Sequence, residues 1–153
     1  MGTGARVPPG GSGDAGKGGA IVAKQKILVI DDDPYWHRLL GRIFAGYEVF
    51  SAVTCAEGVD KAAFHRPDCI LLDFHLDDGD AVLVCSELRK NEAVKGIPVI
   101  VVSSDPAAEI IAYAECRARC FILKGTRSFL TLPDIVAEVL ATPGELGAEG
   151  AQP

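Results

Sequence analysis

The chain has 153 residues, 48% hydrophobic and 24% charged, with a formal net charge of −6 at neutral pH. That length suits one domain with an ordinary core, and the acidic balance disfavours nucleic acid as a direct partner, because phosphate binding wants a basic face. No apolar run approaches the ~20 residues of a membrane-spanning helix, and the N-terminus lacks a signal-peptide core, so a cytoplasmic protein without membrane insertion is expected.

Residues 1–22 hold eight of the seventeen glycines, together with Pro8, Pro9 and Ser12. Such a stretch buries too little surface to offset its ordering entropy, and residues 1–23 are expected to form a disordered tail. Lys26-Ile27-Leu28-Val29-Ile30 then predicts a first strand that runs into Asp31-Asp32-Asp33. Asp33 caps a helix with Pro34 at its first position, and Trp36, Leu39, Leu40, Ile43 and Phe44 form its apolar stripe. Gly46 ends that helix. Residues 47–52 read as a second strand of mixed polarity.

Thr54 and Glu57 predict a capping box for a helix that ends near His65, ahead of Pro67. A third strand covers 68–73 and ends on Asp73, followed by an acidic turn and a helix over roughly 80–91. Pro98 opens a fourth strand that ends on Ser103. Asp105-Pro106 starts a helix through about Ala114, and residues 120–124 give a fifth strand that ends on Lys124. Leu132, Ile135, Val136, Val139 and Leu140 repeat the helical stripe. Residues 143–153 look like a second tail, so 24–142 is the expected folded unit. The alternation is (βα)5, and its nearly continuous apolar central strands imply a parallel sheet covered by helices on both faces. The five cysteines form no CxxC pair and read as reduced, small core residues.

In a parallel sheet all strand C-termini point one way, towards the rim where open α/β sheets place their ligands. Asp31 and Asp32, Asp73, Ser103 and Lys124 would converge there. Carboxylates suit Mg²⁺, which takes hard oxygen ligands. A carboxylate beside such an ion can also attack phosphorus, while a hydroxyl and an ammonium bind the remaining oxygens. Each residue alone is more often structural: Asp33 caps a helix, and its neighbours read as solvated loop acids.

Together and in order, these motifs resemble the response-regulator receiver domain of two-component signal transduction. ILVIDDDP resembles its opening acidic pair, CILLDFHLDDGD its phosphoacceptor strand, PVIVVSS its hydroxyl switch strand and CFILKG its lysine strand. The resemblance covers residues 25–142 and implies a flavodoxin-like, doubly wound (βα)5 sandwich. It makes Asp73 the phosphoacceptor, and Asp31, Asp32, Asp73 and the backbone carbonyl of His75 the Mg²⁺ ligands. Ser103 and Lys124 would bind the phosphoryl oxygens, with Ser103 and Phe121 as switch residues. The implied donor is a sensor histidine kinase or phosphotransfer protein. With no output module evident after Leu140, a stand-alone regulator acting by contact with a downstream protein is expected, rather than an enzyme acting on exogenous substrates.

The sequence departs from the family pattern at Asp77 (commonly Pro), Ala81 (Gly), Arg117 (Gly) and Gly125 (Pro). The last implies a strained bond after Lys124 or a rearranged loop. His75 and Asp105 occupy the positions that flank the path of hydrolytic water in the family. Two rival readings remain open. One is a receiver-like interaction module that is never phosphorylated. The other is a phosphatase of the haloacid-dehalogenase type, for which Asp31-x-Asp33 fits half the signature but Tyr35 stands where Thr is wanted.

Overall fold

A computed structural model of the chain describes residues 23–142. The tails expected at 1–23 and 143–153 lie outside the described residues, save for Ala23. Five strands form a parallel sheet: β1 (Lys26–Ile30), β2 (Glu48–Ala52), β3 (Cys69–Asp73), β6 (Val99–Ser103) and β7 (Cys120–Leu123). Their order across the sheet is β2-β1-β3-β6-β7. The short strands β4 (His75–Leu76) and β5 (Gly79–Asp80) pair antiparallel as a separate hairpin, where the sequence reading has only an acidic turn.

The helices are α1 (Pro34–Ile43), α2 (Cys55–His65), α3 (Ala81–Arg89), α4 (Ala108–Cys116) and α5 (Thr126–Ala141). Strand alternation divides the core between the two faces. Leu28, Ile30, Ile70, Leu72 and Val101 pack with residues of α2, α3 and α4, including Ala62, Val84 and Ala112. Ile27, Val29, Leu71, Ile100 and Val102 pack with residues of α1 and α5, including Trp36, Leu40 and Val136. Every residue of β3 and β6 is buried, as central strands covered on both faces must be.

The caps follow the expected chemistry. The Asp33 carboxylate accepts from the Tyr35 amide at 2.9 Å. Thr54 accepts from the Glu57 amide at 3.0 Å, and Glu57 reaches back to the Val53 amide at 2.8 Å. The start of α4 differs. Asp105 accepts from the Ala107 amide at 2.9 Å, forming a turn that precedes the helix, and α4 itself begins at Ala108 without a side-chain cap.

Gly58 marks where α2 meets β1 most closely. A Cβ there would lie 2.6 Å from Ile30 Cδ1 and 3.0 Å from both of its γ carbons. Overpacking of this kind costs about 1–3 kcal/mol, and Ile30 directly precedes Asp31. Gly58→Val should therefore lower the unfolding free energy by that amount, read as a fall in the urea midpoint. An unchanged midpoint would show that Ile30 yields freely.

Candidate functional site

The strand order reverses between β1 and β3, whose crossovers leave in opposite directions. In an open α/β sheet that reversal opens a crevice beyond the strand C-termini. Asp31 follows β1 and Asp73 ends β3, one on each side of it. Asp31 is only 1% exposed and Asp73 9%. Neither has the bulk water that an isolated carboxylate requires.

The compensating cation comes from the far side of the sheet. Lys124 Nζ donates to Asp31 Oδ2 at 2.8 Å and lies 3.6 Å from Asp73 Oδ1. Its backbone amide donates to the Ser103 carbonyl at 2.9 Å, which ties the residue to the end of β6. No described peptide is cis, so the bond after Lys124 is trans, and Lys124 reaches the acids all the same. Behind it, Gly125 N–H donates to Ser128 Oγ at 3.0 Å, and that hydroxyl donates back to the Gly125 carbonyl at 2.6 Å. This exchange fastens the first turn of α5.

One ammonium does not balance the acids. Oxygen atoms of Asp31, Asp32 and Asp73 all lie within 4.8 Å of one another. The Asp73 carboxyl is pushed up to about 6, first by burial and then by the charge of Asp31, with Lys124 pulling the other way. Asp32 is also raised, by burial first and then by the charge of Asp77, with which it shares a hydrogen bond. Burial disfavours the charged form of both groups, and neighbouring carboxylates add to it.

Ser103, 1% exposed, ends β6 beside Asp73. Its hydroxyl accepts from the Asp105 amide at 3.1 Å, so its own proton is left to donate. His75 begins β4, two residues beyond Asp73, and its side chain turns outward: Nε2 meets Asp105 Oδ2 at 3.0 Å. That hydrogen bond, with the Ala107 amide next, holds Asp105 below the usual carboxylate range. Phe121 is half-buried and packs against the core on the α4 side of the sheet. The Phe121 N–H donates to the Tyr113 hydroxyl of α4 at 3.0 Å.

Several contributors were not legible as site residues. Trp36 reads as a core position on the helical stripe, yet Lys124 Nζ lies 4.9 Å from its ring centroid, within cation–π range. His37 meets the Asp31 carbonyl through Nε2 at 2.6 Å. Asp77 reads as a loop acid, and only the hairpin brings it to Asp32. His75 and Asp105 are thirty residues apart in sequence, and no local spacing signals their contact.

The donor set suits Mg²⁺. Three carboxylates and one ammonium leave two negative charges, and the ligands are hard oxygens gathered within 4.8 Å of one another, the donor type such an ion takes.

The sequence family described as the response regulator receiver domain matches residues 27–132. The chain is 34% identical over 118 residues to the DNA-binding dual master transcriptional regulator RpaA of Synechocystis, covering 76% of this chain and 46% of that protein. It thus spans about half the length of the curated relatives it matches. A CheY-like receiver domain protein from Methanospirillum hungatei superimposes with a TM-score of 0.70 at 25% identity, covering 83% of this chain and 99% of that one. The receiver domain of sensor histidine kinase PA1611 from Pseudomonas aeruginosa, solved with a magnesium ion in its active-site cleft, shares the fold at a TM-score of 0.68 and 22% identity, over 78% of this chain and 99% of that one. With the sheet order, the acidic crevice and the family match in agreement, the chain belongs to the response regulator receiver domain family of two-component signalling.

Proposed function

We propose that this receiver, in the cytoplasm, accepts a phosphoryl group on Asp73 from a sensor histidine kinase or phosphotransfer protein, in a Mg²⁺-dependent step, and signals by protein contact. What carries the reading is the convergence of Asp31, Asp32, Asp73 and Lys124 at the reversal point of the sheet. Asp31, Asp32, Asp73 and the His75 carbonyl would hold the ion, which supplies charge neutralisation at the phosphoryl oxygens. An Asp73 oxygen forms the new bond to phosphorus, and the phosphorus–nitrogen bond of the donor breaks. The electron pair stays on the donor imidazole, which takes its proton from solvent. Lys124 and the Ser103 hydroxyl bind oxygens of the product, and Phe121 follows Ser103 inward, a population shift between two arrangements of one face.

Output by protein contact fits the apolar side chains left exposed along the β7 edge: Ile110, Ile111 and Tyr113 on α4, Leu123 on β7 and Leu130 on α5. A pull-down that compares beryllofluoride-treated and untreated protein should enrich a target in the treated arm. The expectation of a stand-alone regulator is checked on the native protein, whose mass by immunoblot should match this chain.

The primary test is incubation with acetyl phosphate and Mg²⁺ followed by intact mass spectrometry. One phosphoryl group should be added, and chelation with EDTA should prevent it. Release of phosphate from an exogenous ester with turnover would favour a phosphatase. Refusal of both phosphate and beryllofluoride would favour a module that is never phosphorylated.

The His75–Asp105 contact, 3.0 Å long, joins the loop after Asp73 to the loop after Ser103. We infer that it governs water access to the acyl phosphate. His75→Ala and Asp105→Ala should each change the dephosphorylation rate by more than about twofold. If both leave it within that margin, the contact only shapes the loops.

A further inference from the structure

A second concavity lies at the opposite end of the sheet from the acids. It is a cavity of about 380 Å³ between α3, the segment leading to β6, and the junction of α4 with β7. Val94 and Ile97 line its apolar part, and Arg89, Lys95, Arg117 and Arg119 also line it. Among the described residues no Asp or Glu lines it, in a chain where acids outnumber bases by 21 to 15. Four of those fifteen cations therefore gather around one hollow of an acidic protein.

Their charges are poorly matched. Lys95 has Glu92 at 3.0 Å, with both side chains exposed. Among the described residues, Arg89 Nη1 donates to the Glu115 backbone carbonyl at 3.2 Å and Arg119 Nη2 to the Thr142 carbonyl at 3.2 Å. A carbonyl satisfies a hydrogen bond without cancelling a charge. Arg119 Nη1 is buried with no hydrogen-bond partner among the described residues, a state that is costly and rare in folded proteins. Arg117 caps α4 in the left-handed conformation, φ 56°. That is a position glycine fills without strain, and strained backbone tends to be held where a site needs it.

We propose that this cavity binds a small organic anion, with an apolar body of one or two rings and a carboxylate or phosphate group. The volume falls in the range of small-molecule pockets, and apolar walls with a few convergent polar groups are their usual make-up. The Cys85 and Cys116 thiols, which also line it, offer polarizable contacts to an aromatic body. Arginine forks supply the anion contact. Ser103 lies four residues further along β6 than Val99, about 13 Å at the rise of a strand, so the bound anion does not meet the acidic crevice.

The test is an amide-resolved NMR titration of the full chain with 1-naphthoate, alongside 1-naphthalenemethanol (the body without the charge) and inorganic phosphate (the charge without the body). Naphthoate should give saturable shifts confined to residues 85–99 and 116–119, with a Kd about tenfold or more below those of both controls. Arg117→Gly, which relieves the left-handed strain and keeps the chain folded, and Arg89→Gln should each raise that Kd by about fivefold or more. Asp73→Asn should bind as the wild type does, which separates this site from phosphoryl acceptance. The proposal is overturned if no saturable shift occurs, if shifts map elsewhere, if either control binds as tightly, or if both arginine variants bind unchanged.

Discussion

Asp73→Asn should leave a folded chain that takes no phosphoryl group from acetyl phosphate or a phosphorylated kinase. An amide offers no anionic oxygen to attack phosphorus, so incorporation should fall by on the order of a hundredfold or more. Asp31 and Asp32 sit beside Asp73 with oxygens within 4.8 Å, and they make the obvious surrogate acceptors. They are engaged more closely than Asp73, which has Lys124 Nζ at 3.6 Å: Asp31 accepts from Lys124 at 2.8 Å and from the Asp33 amide at 2.9 Å, and Asp32 is hydrogen-bonded to Asp77. Undiminished labelling of the variant, with the phosphate mapped to another carboxylate, would sink the assignment of Asp73.

The same substitution should stabilise the metal-free protein at neutral pH. Asp73 titrates at about 6 in the folded chain against 3.8 for the free side chain. Between those values the folded state binds more protons than the unfolded state, so stability falls as pH rises through that window and levels off above it. The folded carboxylate pays a penalty that is absent below about pH 4 and complete above about pH 6. Two units correspond to on the order of 2–3 kcal/mol. In EDTA, Asp73→Asn should therefore exceed the wild type by that order at pH 7 and match it near pH 4, measured by urea unfolding. Asp32 is shifted in the same direction, so the variant should retain a shallower slope of its own. Mg²⁺ should narrow the gap by binding the wild type more tightly. Equal stability of the two proteins at pH 7 would show that Lys124 already neutralises Asp73.

Both expectations come from an excess of acid over base at buried strand ends, and most of that arrangement is written in chain order. Four apolar runs ending on Asp31, Asp73, Ser103 and Lys124 require only that the strands be parallel. The continuous apolar character of β3 and β6 implies that directly, because only strands covered on both faces can do without polar alternation. Caps at Asp33 and Thr54 were equally legible, since a cap and its acceptor are two or three residues apart. The start of α4 was not, because Asp105 can bond the amide two residues on in a turn as well as in a helix.

What sequence alone determined is the fold class and the identity of the residues at the rim, because strand periodicity, capping and residue chemistry are local. The tertiary structure decided which of those residues touch. The pairing of Lys124 with Asp31 spans 93 positions, that of His75 with Asp105 spans 30, and Asp77 reaches Asp32 only through the β4–β5 hairpin. It also decided that Trp36, a core residue by its periodicity, lies within reach of the lysine ammonium, and that Arg89, Lys95, Arg117 and Arg119, scattered from α3 to the start of β7, share one cavity. Contacts of that kind depend on how strands and helices are ordered in space, which no local spacing in the chain records.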